Sequence, residues 1–442
     1  MIEERGEGRV GRWRLIGFAS GDFAFNLYWQ SAMLYLLFYY TDALGLGMEA
    51  AAAMYLVASC WDGAVSFAVG VLVDRYWPRQ AMRRALVLGA VPLGLSFALA
   101  YAPPPVGGTA GAAIVLAGHL LFRTAYALVN IPYLALSGRV SGDSRDRSFV
   151  AGIRMLAGTA AAVLVALGTV PLGSALMGVR GGPQAFLGAA MLFAGIGSVI
   201  LILVGWTFRD ALVADDDDAQ TAPFSVLASL AATAGNRAFV TLAAAMMAMI
   251  VAVSVLDKSV LYYFKYALGD EAAGHLALAA MMAVSAVAVP MWMGIARVIG
   301  VRRLWFVASG LCGIGLTVFA LADLPRTGAM QLFLVTMQAG TVALHFAFWS
   351  MLPDAIDWGR RAHGMRADGV AFGLVALLQR LAIGVATAML GLSLGQSGYV
   401  ANSAQSPETL TALRVTIALV PLGFFMLAAV MMALNPLGRR AG

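Results

Sequence analysis

The sequence predicts an all-α membrane protein of twelve transmembrane helices, arranged as two pseudo-symmetric six-helix bundles. Three observations carry this. Of 442 residues, 61% are hydrophobic and 12% are charged, against roughly a quarter charged in a soluble domain. The apolar residues fall in runs near the ~20 residues that a helical crossing needs. The arginines cluster at alternate ends of those runs, as an even number of crossings with the positive loops inside requires.

The runs are read at 14–40, 49–72, 85–102, 111–135, 149–175, 184–208, 238–266, 273–297, 303–322, 329–352, 369–392 and 410–434. Turn chemistry separates them at Asp42 to Gly47, Pro103 to Gly108, Gly138 to Ser144, Gly181 to Pro183 and Pro325 to Gly328. Arg5, Arg9, Arg12 and Arg14 precede the first run, and Arg75, Arg79, Arg83 and Arg84 follow the second. Arg139, Arg145 and Arg147 follow the fourth, Arg302 and Arg303 the eighth, and Arg360, Arg361 and Arg366 the tenth. Arg439 and Arg440 end the chain, whereas the opposite loops carry little more than Arg180 and Arg326. Both termini are therefore expected in the cytoplasm. The polar stretch 209–237, with its Asp215 to Asp218 run, is expected as a cytoplasmic linker between a bundle at 1–208 and a bundle at 238–442. A weak repeat supports this division, because Arg154 enters the fifth run as Arg380 enters the eleventh.

Composition also excludes functions. The net charge of +6 lies in short clusters between apolar runs, where it sets topology, so no nucleic-acid partner is expected. Cys60 and Cys312 each lie inside an apolar run and offer no disulfide or zinc spacing. The N-terminal apolar stretch is too long for a cleavable signal. No P-loop, dinucleotide fingerprint or HExxH pair is present. Neither an enzyme nor an ATP-driven pump is expected, and no metal or cofactor. A membrane-embedded transferase for a lipid-linked sugar would need an acid pair or a metal loop at the interface, and a sensor an added soluble domain. Charges within spans are expensive and mark function. Asp22, Asn26 and Gln30 recur every fourth residue and form one polar stripe that suits sugar hydroxyls; an interhelical polar clasp is the plainer alternative.

The segments GDFAFNLYWQSAMLYLLFYYTDALGLG, WDGAVSFAVGVLVDR, LVNIPYLALSG, GIRMLAG, YYFKYALG and PDAIDWGRRAHGMRADG occur in order along nearly the whole chain. Together they resemble the glycoside–pentoside–hexuronide:cation symporters, the group that includes melibiose permease. GVLVDRYWPRQAMRR is similar to the cytoplasmic signature of the major facilitator superfamily. The resemblance implies that fold, with alternating access to a central cavity. It also implies cation-coupled import of a glycoside, sugar or sugar acid across a bacterial inner membrane. A lysolipid or other amphipathic solute is the alternative cargo, and uncoupled uniport the alternative mode. The expected partners are a small-molecule substrate, a coupling cation and the bilayer, with the chain a monomer.

The resemblance places Asp22 where the family has a substrate-binding acid. It places Asn130 where an acid stands in melibiose permease, and Arg380 where a lysine lies near the cavity. Asp22, Asn26, Tyr126, Asn130, Arg154, His345 and Arg380 are the expected substrate residues. An arginine fork suits a carboxylate, so an acidic sugar fits Arg380, while Arg154 is read equally as a gate residue. Sodium-coupled members carry an acid one turn after Asp62, where this chain has Ser66. One carboxylate and one hydroxyl make a poor Na⁺ cage, so H⁺ is expected over Na⁺, with Asp62 as its carrier. Arg123, in the fourth span, calls for a carboxylate and points to Asp62 or Asp22. Asp62, Ser66 and Arg123 are the expected coupling residues. Asp74, Arg75, Arg79, Asp354, Asp357 and Arg366 are expected as a cytoplasmic gate. Asp257 and Lys258 have no reading at this level.

Overall fold

Residues 11–137, 144–207, 226–322, 326–363 and 368–437 are described by the structure, a computed structural model. They form α1 (Arg12–Ala19), α2 (Gly21–Phe38), α3 (Met48–Tyr76), α4 (Arg79–Ala100), α5 (Gly108–Ser137), α6 (Ser144–Met177) and α7 (Pro183–Thr207). After these come α8 (Val226–Gly235), α9 (Arg237–Tyr262), α10 (Glu271–Ile299), α11 (Val301–Leu321), α12 (Thr327–His363), α13 (Asp368–Gln396) and α14 (Pro407–Leu434). There is no strand among the described residues.

Eleven of these helices are long and apolar enough to cross a membrane. Helix α2 falls short of that standard because Asp22, Asn26 and Gln30 dilute it. With the turn that prolongs it to Ala43, it makes the twelfth. The protein is an integral, multi-pass membrane protein.

Three elements depart from the apolar runs. The first run is broken at Ser20, whose hydroxyl donates to the Gly17 carbonyl at 2.7 Å. The neighbouring Gly21 leaves room for the Tyr133 ring, which would stand 2.6 Å from a Cβ at that position. Helix α12 continues through Pro353 to His363 instead of ending near 352. A ten-residue helix, α8, occupies the end of the stretch read as a linker.

Helices α2 and α9 both end in a π-helical turn, Tyr39–Ala43 and Tyr263–Ala267. Each turn runs into Ala-Leu-Gly, and the glycines Gly45 and Gly269 hold φ of 70° and 69°. Only glycine adopts that backbone readily. The same device thus closes the first helix of each half of the sequence.

The chain divides into two compact units. One comprises Met1–Leu36 and Val65–Asp218, the other Leu37–Ala64 and Ala219–Gly442. In the first, α4 packs on α5 and α7, and α6 packs on α7. An aromatic cluster lines the seam of α1 and α2 with α5: Phe18 of α1 stacks on Tyr133 at 4.7 Å, and Phe25 of α2 meets Tyr126 edge-on at 5.8 Å. In the second, α9 is the central rod. Its most apolar stretch is 72% buried, and no other span exceeds 50%. Helices α12, α13 and α14 surround it. The α2–α3 hairpin lies against α13 through glycines. A Cβ at Gly391 would stand 2.1 Å from that of Ala52, and one at Gly384 would meet Ser59 at 2.9 Å. Small residues of this kind let membrane helices approach closely.

Candidate substrate and coupling sites

In the first unit, the stripe expected on α2 is present and is held by its own helix. Asn26 Nδ2 donates to the Asp22 carbonyl at 2.8 Å, and Gln30 Nε2 donates to Asn26 Oδ1 at 3.4 Å. The Asp22 carboxylate is engaged across the unit. Arg154 of α6 approaches it with both arms of its fork: Nε bonds Oδ2 closely and an Nη atom bonds Oδ1 at 3.2 Å. The Tyr133 hydroxyl lies 2.6 Å from Oδ2 and 2.9 Å from the Phe18 carbonyl. The Arg154 guanidinium also stands 5.5 Å over the Tyr133 ring. The side chains of Arg154 and Asp22 keep 23% and 17% exposure, so the pair is reachable from outside the packed core. The sequence points to Asp22 and Arg154 but not to Tyr133, whose only signal is its place on the α5 segment LVNIPYLALSG.

Tyr126 is buried in the aromatic cluster, between Phe25, Trp29 and Phe122. Asn130 is half-buried one turn further along α5. Arg123, 2% exposed, donates from Nε to His119 Nε2 at 3.0 Å and lies 5.1 Å over the Trp29 ring. An aromatic face and a neutral imidazole are both compatible with a buried cation.

In the second unit, Asp62 of α3 is fully buried and pairs with Arg380 Nε of α13 at 3.1 Å. The adjacent Gly63 permits this. A Cβ there would meet Leu377 at 2.6 Å and the Arg380 Cβ at 3.5 Å, so glycine lets α13 close on α3. Ser66, one turn on from Asp62, is half-buried. His345 turns its Nδ1 to the carbonyl of Thr341 on its own helix, at 3.1 Å. The two arginines that suggested a repeat thus play parallel parts: each holds an aspartate of the first helical hairpin, Arg154 in one unit and Arg380 in the other.

A third cluster has no counterpart among the expected sites. Asp42, 8% exposed, lies in the π turn after α2. Lys265 Nζ and the Tyr266 hydroxyl both donate to its Oδ1, Lys265 at 2.7 Å. The hydroxyls of Thr41 and Tyr399 both donate to its Oδ2 at 2.7 Å. Asn402 Nδ2 donates to the Asp42 carbonyl, and Lys265 Nζ to Asn402 Oδ1, each at 2.7 Å. Asn402 holds a left-handed φ of 57°, a strained backbone that these bonds hold in place. In the sequence, Asp42 falls in a turn and Lys265 in a family motif, with nothing to join them.

Of the residues expected at a cytoplasmic gate, Asp354 is exposed and Asp357 half-buried near the end of α12. The side chains of Asp74, Arg75 and Arg79, and the whole of Arg366, lie outside the described residues. No cluster of three or more metal-ligating side chains occurs among the described residues.

The chain is 25% identical over 434 residues to a glucuronide carrier protein homolog of Escherichia coli (strain K12), covering 96% of this chain and 93% of that one. It is 25% identical over 423 residues to an isoprimeverose transporter of Lactiplantibacillus pentosus, covering 93% and 86%. The inner membrane symporter YicJ of E. coli is 26% identical over 426 residues, covering 94% and 89%. Among solved structures, tetrameric PepTSo2 superposes with a TM-score of 0.71 at 12% identity, covering 98% of this chain and 100% of that one. The nucleoside transporter NupG superposes with a TM-score of 0.65 at 15% identity, covering 96% and 99%. These likenesses show the fold. A family model described as MFS/sugar transport protein matches residues 17–439. The chain belongs to that family, and within it to the glycoside–pentoside–hexuronide:cation symporters.

Proposed function

We propose that this protein imports a glycoside, sugar or sugar acid across a bacterial inner membrane by H⁺ symport. Both termini are cytoplasmic, and the protein works as a monomer without a cofactor. The observation that carries the reading is the reachable Asp22–Arg154 pair, whose carboxylate the buried Tyr133 hydroxyl holds from behind. It offers, in one place, a carboxylate that accepts from paired hydroxyls and a fork that donates to hydroxyl or carboxylate oxygens. Such groups suit a sugar ring. Because Arg154 is already neutralised by Asp22, a neutral glycoside binds by sharing the pair. A sugar acid binds by taking one arm of the fork. The relatives named for glucuronide and isoprimeverose carry cargo of these two kinds.

H⁺ is favoured over Na⁺ because the buried Asp62 already has a positive partner in Arg380, 3.1 Å away. A metal cation entering there would meet that guanidinium at close range, and Ser66 supplies no second negative oxygen. Asp62 and Arg380 form the coupling pair, whose opening links the substrate site to the cation.

The test is uptake by purified protein in liposomes, across labelled hexosides, pentosides and hexuronides, with pH and Na⁺ gradients imposed separately. Accumulation of at least one compound driven by an inward proton gradient is expected. Stimulation by Na⁺ at fixed pH, or uptake of none of the panel, would overturn the reading.

A further inference from the structure

Among the described residues, Asp22, Asp42, Asp62 and Asp257 lie in α2, α3 and α9 or their π-helical ends, and three of them have a basic partner. Asp22 has Arg154, Asp42 has Lys265 and Asp62 has Arg380. The fourth, Asp257, lies in α9, the most buried rod of the second unit. Its Oδ1 is buried and has no hydrogen-bond partner. The adjacent Lys258 does not turn to it; its Nζ stands 3.9 Å over the ring of Tyr55 on α3. Consecutive helical residues point to different faces, so the carboxylate and the ammonium are separated although they are neighbours in sequence.

The other charges on the elements around α9 are engaged elsewhere or lie at exposed positions, as Glu49 of α3 does. On α13, Arg380 is held by Asp62. On α14, Arg414 donates to the Ala322 carbonyl at 2.6 Å, and Glu408 is exposed. On α12, His345 faces the Thr341 carbonyl. Asp354 and Asp357 lie beside Ala355, whose carbonyl accepts from Asn236 at the start of α9. That end is ~30 Å along the helix from Asp257 at ~1.5 Å per residue. On α10, Glu271 lies near Lys265 and His275, and Arg297 is exposed. Lys265 and Tyr266, in the turn after α9, serve Asp42. No described residue on α8 is charged.

An ionised oxygen buried without a donor is costly, and a bound proton removes the charge, which is the larger part of that cost. The geometry points to Asp257 as the carrier of the coupling proton: a proton from water on one side of the membrane binds its carboxylate, and the resulting acid returns it to water on the other. This rests on the proton-coupled reading above and differs from it in the residue. Asp62 must lose Arg380 before it can bind a proton, whereas Asp257 has no partner to displace.

The experiment has two arms on the full-length protein. Infrared difference spectra between acid and alkaline buffer report protonated carboxylic acids without any substrate. A carbonyl band of a buried acid is expected in the wild type, lost in Asp257→Asn and kept in Asp62→Asn. An Asp257→Asn spectrum identical to the wild type overturns the inference. In liposomes, with the panel compound that the wild type takes up fastest, Asp257→Asn should lose proton-driven accumulation. It should keep exchange of labelled for unlabelled compound, which shows that the protein is folded and binds. Undiminished proton-driven accumulation in that variant overturns the inference. If the wild type itself ignores the pH gradient, the proton-symport reading fails instead, and the infrared arm alone decides whether Asp257 binds a proton. If Asp257→Asn does not fold, Asp257→Glu replaces it, with a displaced carbonyl band expected and an unmoved band overturning the assignment.

Discussion

Single side chains carry the chemistry through pairs, and the pairs differ in what their loss should do. Asp62 is fully buried against Arg380. Removing one member of such a pair strands the other, at a cost of about 3 kcal/mol, whereas removing both costs much less. The apparent melting temperature in detergent should therefore fall in Asp62→Asn and in Arg380→Gln, and should largely recover in the double variant. Equal losses in all three would show that the pair contributes no mutual stabilisation. The Asp22 site predicts a different signature, because its fork is partly open. Arg154→Lys keeps the charge but loses the two-armed contact. Its half-saturating substrate concentration should rise about tenfold, equivalent to about 1.4 kcal/mol of binding, with little change in melting temperature. Asp22 and Arg154 are legible one at a time because charge inside an apolar run stands out. Their pairing is not, since residues 132 positions apart carry no mutual mark in one sequence. Arg380 stands out as a charge, but its pairing with Asp62 does not.

Among elements, helix limits are readable wherever hydropathy changes sharply, as at the ends of α7 and α14. They are unreadable where geometry changes without polarity. The break at Ser20 lies within a run read as continuous, and the two π turns begin at tyrosines near the ends of apolar runs, where one wider turn leaves the hydropathy unaltered. The glycine seam between α3 and α13 is likewise hidden in a Gly-rich chain, and it predicts a contrast. Gly391→Val should destabilise the protein by about 1–3 kcal/mol, because a Cβ there would stand 2.1 Å from Ala52. Gly310→Ala, with nothing within 4 Å of the new Cβ, should leave the melting temperature unchanged. Thermal unfolding of both variants checks this pair, and a neutral Gly391→Val would mean that the helices can part at no cost.

At the scale of the whole molecule, the division into units does not follow the midpoint of the sequence. The α2–α3 hairpin from Leu37 to Ala64 groups with the C-terminal residues, while both helices begin or end in the other unit. Hydropathy reports only that twelve rods exist, so this grouping lies beyond the sequence. Asp42 is central to it. A carboxylate offers about four lone-pair sites, and Lys265, Tyr266, Thr41 and Tyr399 supply four donors. The matched turns give this contact a history. When Ala43-Leu44-Gly45 is aligned with Ala267-Leu268-Gly269, Asp42 corresponds to Tyr266, so the bond joins a position to its own counterpart. Had the two segments stayed identical copies, that spot would set acid against acid or phenol against phenol. A carboxylate facing a phenol requires that the two segments differ at this position. Exchange should therefore be tolerated better than imitation: Asp42→Tyr combined with Tyr266→Asp should retain more folded protein than Tyr266→Asp alone, which brings two carboxylates together. Fluorescence size-exclusion profiles of the variants would show whether the two positions can be exchanged at this contact.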